Sequence, residues 1–141
     1  MALLRWGGLI TFAMAFLPLP VLAGMNGVWQ GTIGNLAVLA CFQDQGGHDG
    51  IGGAYYYLDH LRLITLSPKN TKNSKGWIEM GSGGERASNP WWEVHLEGQD
   101  HITGTWHGAR RMLRINLKRI APGGSACSST AFTSLRDKAQ P

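Results

Sequence analysis

Residues 91–107 read WWEVHLEGQDHITGTWH, and their alternation decides the fold class. In an extended strand, side chains two apart share a face. Trp92, Val94 and Leu96 therefore line one side of Trp91–Glu97, with Trp91, Glu93, His95 and Glu97 on the other. In His101–His107, Ile102, Gly104 and Trp106 likewise oppose His101, Thr103, Thr105 and His107. A three-residue loop, Gly98-Gln99-Asp100, pairs Glu97 with His101 and brings both apolar sets to one face. A two-residue loop would mix the sets and bury charge, so burial selects the longer loop. On the outer face this register sets Trp91 beside His107. It also sets His95 diagonal to His101, near the roughly 7–8 Å spacing of diagonal neighbours.

The pattern extends in both directions. Met112–Arg119 turns Leu113, Ile115 and Leu117 inward and Arg114, Asn116 and Lys118 outward. Val28–Gly34, Leu36–Gln43, Ala54–Leu66 (bent near Asp59) and Gly76–Met80 are further strand candidates. Gly34-Asn35 makes a two-residue turn that pairs Ile33 with Leu36 and Trp29 with Ala40. Trp29, Ile33, Leu36, Val38 and Phe42 then share the core face. Val28, Ala37, Leu39 and Cys41 form a second face too apolar for open water, and the segment around Cys127 is expected to cover it. The mature region has no sustained helical stripe, and a short helix fits only near Ser129–Arg136. The expectation is an all-β fold: an antiparallel meander of seven to eight strands forming a small barrel, with a β-sandwich as the alternative.

Composition bounds the rest. With 141 residues the chain has room for one domain. Its 43% hydrophobic and 16% charged residues exclude disorder over most of its length. Its 20 glycines lack a three-residue period, which excludes collagen. At the N-terminus Arg5 precedes an uncharged stretch, Trp6 to Leu22, that ends at the small-residue boundary Val21-Leu22-Ala23. This is the plan of a secretory signal peptide. Pro18 and Pro20 would interrupt a spanning helix, although an uncleaved N-terminal anchor is the alternative. Leu22-Ala23-Gly24 also resembles a lipoprotein box, but Met25 stands where the lipid-bearing cysteine belongs. The expected organisation is a signal peptide over 1–23, a barrel over 24–120 and a covering segment or tail over 121–141. The mature protein is expected to be exported, periplasmic or secreted, with no transmembrane segment after cleavage. An oxidising compartment would join Cys41 to Cys127, pinning the C-terminal segment by a disulfide.

Two pentapeptides share the pattern G-x-W-x-G: Gly27-Val-Trp-Gln-Gly31 and Gly104-Thr-Trp-His-Gly108. Glycines beside each tryptophan leave room for the indole over neighbouring backbone and permit the coiling that small barrels need. The first resembles the opening strand of calycin-like barrels (lipocalins, avidins and their small bacterial relatives). That resemblance implies a barrel end plugged by Trp29, with a late arginine packed on it. Arg119 has the inward parity for a cation–π contact. Trp29, Trp106 and Arg119 are thus candidates for barrel-end packing. Gly31-Thr-Ile-Gly34, Cys41-Phe42, Tyr55–Tyr57, Gly104-Thr-Trp106 and the basic last strand also look like small exported bacterial proteins that carry no known activity.

For chemistry, His95, His101 and His107 stand with Glu93 and Glu97 on one outer face. These are donors that a borderline metal ion accepts. A flat solvated face supplies no second shell, so no metal and no cofactor are expected. Trp91 with the three histidines forms the candidate binding surface. The sequence has no G-x-S-x-G, no H-E-x-x-H and no paired-cysteine cluster, and Gly46–Gly53 lacks the Gly-Lys-Ser/Thr ending of a phosphate loop. No enzyme is expected. The net charge of +4 gathers at Arg110, Arg111, Arg114, Lys118 and Arg119. So modest an excess on an exported chain points away from nucleic acid, and toward an acidic envelope polymer or anionic surface. The expected function is non-catalytic binding in the cell envelope, of an envelope protein, a glycan or a small apolar ligand. The alternatives are a structural or stress accessory domain without a pocket, or an inhibitor of an envelope-active enzyme.

Overall fold

A computed structural model describes residues 24–44, 51–70, 75–81, 88–122 and 127–140. The expected signal peptide and residues 45–50 of the glycine-rich loop lie outside them. The chain runs through β1 Gly27–Ile33, β2 Leu36–Asp44, β3 Ile51–Tyr57, β4 Leu63–Asn70, β5 Lys75–Met80, β6 Trp91–Glu97, β7 His101–His107, β8 Met112–Ala121 and α1 Ser129–Ala139. The eight strands form a closed antiparallel barrel, each beside its sequence neighbours, with β1 sealed against β8. Closure rules out the sandwich.

The register follows the burial argument. Glu97 faces His101 across β6 and β7, Ile33 faces Leu36, and Trp29 faces Ala40. One expected strand is corrected: residues 54–66 do not form a single bent strand. The chain reverses there between β3 and β4, which pair from Gly53↔Leu66 to Tyr56↔Leu63. This turn carries neither glycine nor proline. Leu61 takes a left-handed φ of 50°, and the His60 and Leu61 amides donate to the Tyr57 carbonyl at 3.1 and 2.9 Å. The helix is also longer than expected, reaching Ala139. Ser128 caps it, its hydroxyl accepting from the Ala131 amide at 3.3 Å.

Inward parity gathers large rings in the barrel. Phe42 stacks on Trp77 with centroids 4.2 Å apart and planes 2° from parallel. Trp92 meets both edge-on at 6.2 Å, and Tyr55 meets Trp92 at 4.9 Å. These rings fill the middle of the barrel, each such pair contributing about 0.5–1.5 kcal/mol beyond area burial. Outside, Val28, Leu39, Cys41, Tyr56 and Leu58 form the second apolar cluster, which Phe132 of α1 covers with Leu135 and Ala139. Ala37 stays exposed. The Cys41–Cys127 disulfide, with Cα atoms 5.7 Å apart, ties this covering segment to β2.

The glycines of the G-x-W-x-G motifs serve two purposes. A Cβ on Gly108 would overlap the six-membered ring of Trp106, which is the expected room for an indole. A Cβ on Gly31 or Gly104 would instead strike a carbonyl of the adjoining strand, Asn116 in β8 and Glu93 in β6 respectively. Those two glycines accommodate backbone, not rings.

Three outcomes follow from this packing. Gly104→Ala will destabilise the barrel by about 3 kcal/mol in urea unfolding, because backbone cannot step aside as a flexible side chain can. Gly81→Ala, whose Cβ would meet nothing within 4 Å, will be neutral. Replacing Cys41 and Cys127 together by alanine will cost roughly 2–5 kcal/mol. It will also raise binding of a hydrophobic dye, as α1 leaves the Val28–Leu39–Tyr56 patch, while the strand circular-dichroism signal persists.

Candidate functional site

At one end of the barrel, Trp29 Nε1–H donates to the Met25 carbonyl at 2.9 Å. The Arg119 guanidinium lies 4.4 Å over the Trp29 ring. Arg119 Nε–H donates to the Gln99 carbonyl at 3.0 Å and Nη2–H to the Gly24 carbonyl at 2.7 Å, while Nη1–H donates to the Asn26 carbonyl. The last strand thereby holds the segment before β1 across the barrel end, with the cation spread over a ring and three carbonyls. Trp106 faces Leu113 near the start of β8, toward the end opposite Arg119.

That opposite end contains a group the sequence reading passed over. Glu79 pairs with Leu66 across β4 and β5, on the same face as Trp77, and so points inward. Its Oε1 accepts from Tyr55 Oη at 2.5 Å, from Trp106 Nε1 at 2.8 Å and from Trp92 Nε1 at 3.3 Å. Tyr55 Oη in turn reaches the Tyr57 hydroxyl at 3.3 Å. One carboxylate thus satisfies two indoles and a phenol that the apolar interior would otherwise leave without acceptors. The Glu79 backbone is also tied down, its carbonyl accepting from Asn89 Nδ2 and its amide donating to the Pro90 carbonyl, both at 2.9 Å. Burial pushes the Tyr55 phenol far above its ordinary 10.0, and the Glu79 charge and the hydrogen bonds to Glu79 and Tyr57 push the same way. Burial also raises Tyr57, with the Glu79 charge pushing the same way, against the contact with the Tyr55 hydroxyl and the nearby Arg111 charge, which lower it. The signal was present in residues 75–80: period two puts Glu79 beside Trp77, and a tryptophan that turns inward takes the glutamate with it.

The outer face of β6–β8 carries the candidate binding residues. Trp91 is half-buried, with the His107 ring stacked on it at 4.0 Å and 4°. Lys69 Nζ lies 4.1 Å from the centre of the Trp91 ring. The stacked imidazole leaves no room for an ammonium on its own side, so both faces of the indole are occupied. His107 Nε2 is shielded from water and sits 3.6 Å from Glu93 Oε2. His101 Nε2 is joined to Asn116 Oδ1 at 2.5 Å, and Thr103 Oγ1–H donates to Glu97 Oε1 at 2.9 Å. His95 is exposed, diagonal to His101 as the register requires. The three histidines therefore do not converge: each has a different neighbour. Among the described residues no group of three or more His, Cys, Asp or Glu side chains is arranged to hold a metal ion.

A groove of about 380 Å³ runs over this face, lined by Glu93, His95 and Glu97 of β6, Thr103 and Thr105 of β7, and Arg114 and Asn116 of β8. Cross-strand register orders the face into three rows: Glu93–Thr105–Arg114, His95–Thr103–Asn116 and Glu97–His101–Lys118. Among the described residues, no carboxylate lies within ion-pair distance of Arg110, Arg111, Arg114 or Lys118. No helix among the described residues is long and apolar enough to cross a membrane. Compared with known proteins, the chain matches no family model, no curated protein and no solved structure.

The buried phenol has a pH signature. Because its folded pKa is raised, Tyr55 contributes fully below the ordinary tyrosine pKa, and stability falls as pH rises above about 10, where the unfolded chain releases a proton that the folded one keeps. Urea unfolding between about pH 9 and 11 will show a steeper loss for the wild type than for Tyr55→Phe. Equal slopes would place the phenol outside the Glu79 network.

Proposed function

We propose that this is an exported, non-catalytic binding protein of the cell envelope, a calycin-like barrel that meets its partner through the outer face of β6–β8. The observation that carries this reading is the interior packed with Phe42, Trp77, Trp92 and Tyr55 in mutual contact. That packing argues against a small apolar ligand in the barrel centre and moves recognition outside, where the described groove lies. Closure adds a constraint. Every strand has a paired neighbour on both sides, which favours a partner that engages side chains over one that adds a strand.

The non-catalytic part rests on how the ionisable groups are engaged. Glu79 Oε1 is taken up by three donors, and His107 Nε2 is enclosed beside a stacked tryptophan. Those engagements support a structural role for Glu79 Oε1 and His107 Nε2 over a general-base role. Export is supported by the charge-then-apolar pattern of residues 1–23 and by the disulfide. The calycin-like reading is supported by Gly27-Val-Trp29 opening β1 and by Arg119 over Trp29.

Immobilised mature protein (residues 24–141) tests the reading by capture of envelope material. Arg114→Ala will weaken capture at least tenfold, while Lys138→Ala on α1, the same change in charge on another surface, will leave it intact. Tryptophan fluorescence will not respond to a panel of apolar small molecules. Capture unaffected by Arg114→Ala removes the β6–β8 face from the function.

A further inference from the structure

Resting on that reading, we infer that the outer face of β6–β8, the groove together with the flanking Glu97–His101–Lys118 row, is a binding site for an acidic polysaccharide, a chain of sugar rings bearing uronic-acid carboxylates. Two rows of the face share one order, a carboxylate on β6, a hydroxyl or imidazole on β7 and a cation on β8: Glu93–Thr105–Arg114 and Glu97–His101–Lys118. Neighbouring strands are about 4.8 Å apart, so the acidic and basic edges stand roughly 10 Å from each other, and Arg114 and Lys118 recur about 13 Å apart along β8. Such a face matches a polymer that offers hydroxyl donors on one side and carboxylates at intervals on the other.

The occupant follows by chemistry. Arg114 and Lys118 are exposed cations without a carboxylate partner among the described residues. They supply attraction that no described carboxylate takes up, and the guanidinium fork suits a carboxylate. Glu93 and Glu97 can accept from sugar hydroxyls but repel a phosphodiester backbone or a flat anionic lipid surface, neither of which offers enough donors in return. A neutral glycan is disfavoured for a different reason. Uncharged sugars gain affinity by lying on an open aromatic face, and both faces of Trp91 are already occupied by His107 and Lys69. Charge must then provide the hold, which only an acidic glycan allows. Asn116, kept in place by His101 at 2.5 Å, stands between the two cations as a further polar contact for ring hydroxyls.

Calorimetric titration with an oligogalacturonate tests this directly, beside the carboxyl-reduced form of the same oligomer and phosphatidylglycerol vesicles. The acidic oligomer will bind, its affinity falling with added salt. The reduced oligomer and the vesicles will bind at least tenfold more weakly. Arg114→Ala will reduce affinity tenfold or more, Arg114→Lys will recover part of it, and Lys138→Ala will have no effect. Binding to vesicles as strong as to the oligomer, or binding indifferent to Arg114, overturns the proposal in favour of general attraction to anions. If the oligomer fails to bind but Arg114→Ala still abolishes capture of envelope material, the polysaccharide is wrong and the binding face stands. If both fail, the face itself is not the site.

Discussion

Everything in this barrel depends on how closely its strands approach at Gly31 and Gly104. At each position the carbonyl of an adjoining strand occupies the space a Cβ would need. Gly31 lies on the β1–β8 seam and Gly104 on the β6–β7 pair. A small barrel must coil its strands strongly to close, and coiling brings backbones together on the inner side. Side chains there would hold the sheet open. Glycine removes that obstacle, and each of the eight strands can pair with a neighbour on both sides.

Tight closure leaves little space, and the sequence fills it with rings. Four of them lie in a connected set of ring contacts across the middle, and their polar atoms need acceptors where water is largely displaced. Glu79 answers that need: a single carboxylate oxygen serves Tyr55, Trp92 and Trp106. At the other end Arg119 does the converse, a cation satisfied by carbonyls and by the face of Trp29. The barrel is thus held at both ends by one ionisable group among aromatics, of opposite sign at each end. Both groups are occupied by structure. Chemistry available to a partner is pushed to the outer surface, where the acid, hydroxyl and base rows of β6–β8 stand beside a groove.

The helix occupies a different part of the outside. Val28, Leu39 and Cys41 gave the first strands a second apolar face, and burying such a face removes it from water. Phe132 does so, and the disulfide keeps it there. The outer surface is therefore divided, with one side sealed by α1 and the other left polar.

Much of this was legible in residue order. Alternation in Trp91–His107 sets the face of every side chain, and the charge that a shorter loop would bury selects the Glu97–His101 register. The apolar outer face of β2 likewise announces a cover near Cys127. Such readings succeed because the two-residue period is a local property of extended backbone. The turn between β3 and β4 was hidden because it uses a left-handed Leu61 in place of glycine or proline. Glu79 was hidden for a deeper reason. Alternation places it with Trp77, but whether that face turns inward depends on β5 lying between β4 and β6. Its donors come from 24, 13 and 27 residues away in the chain. Period and composition settled which residues could share a face. Ring closure alone settled which faces meet, because contacts between distant strands are set by the geometry of the closed sheet and leave no mark on local order.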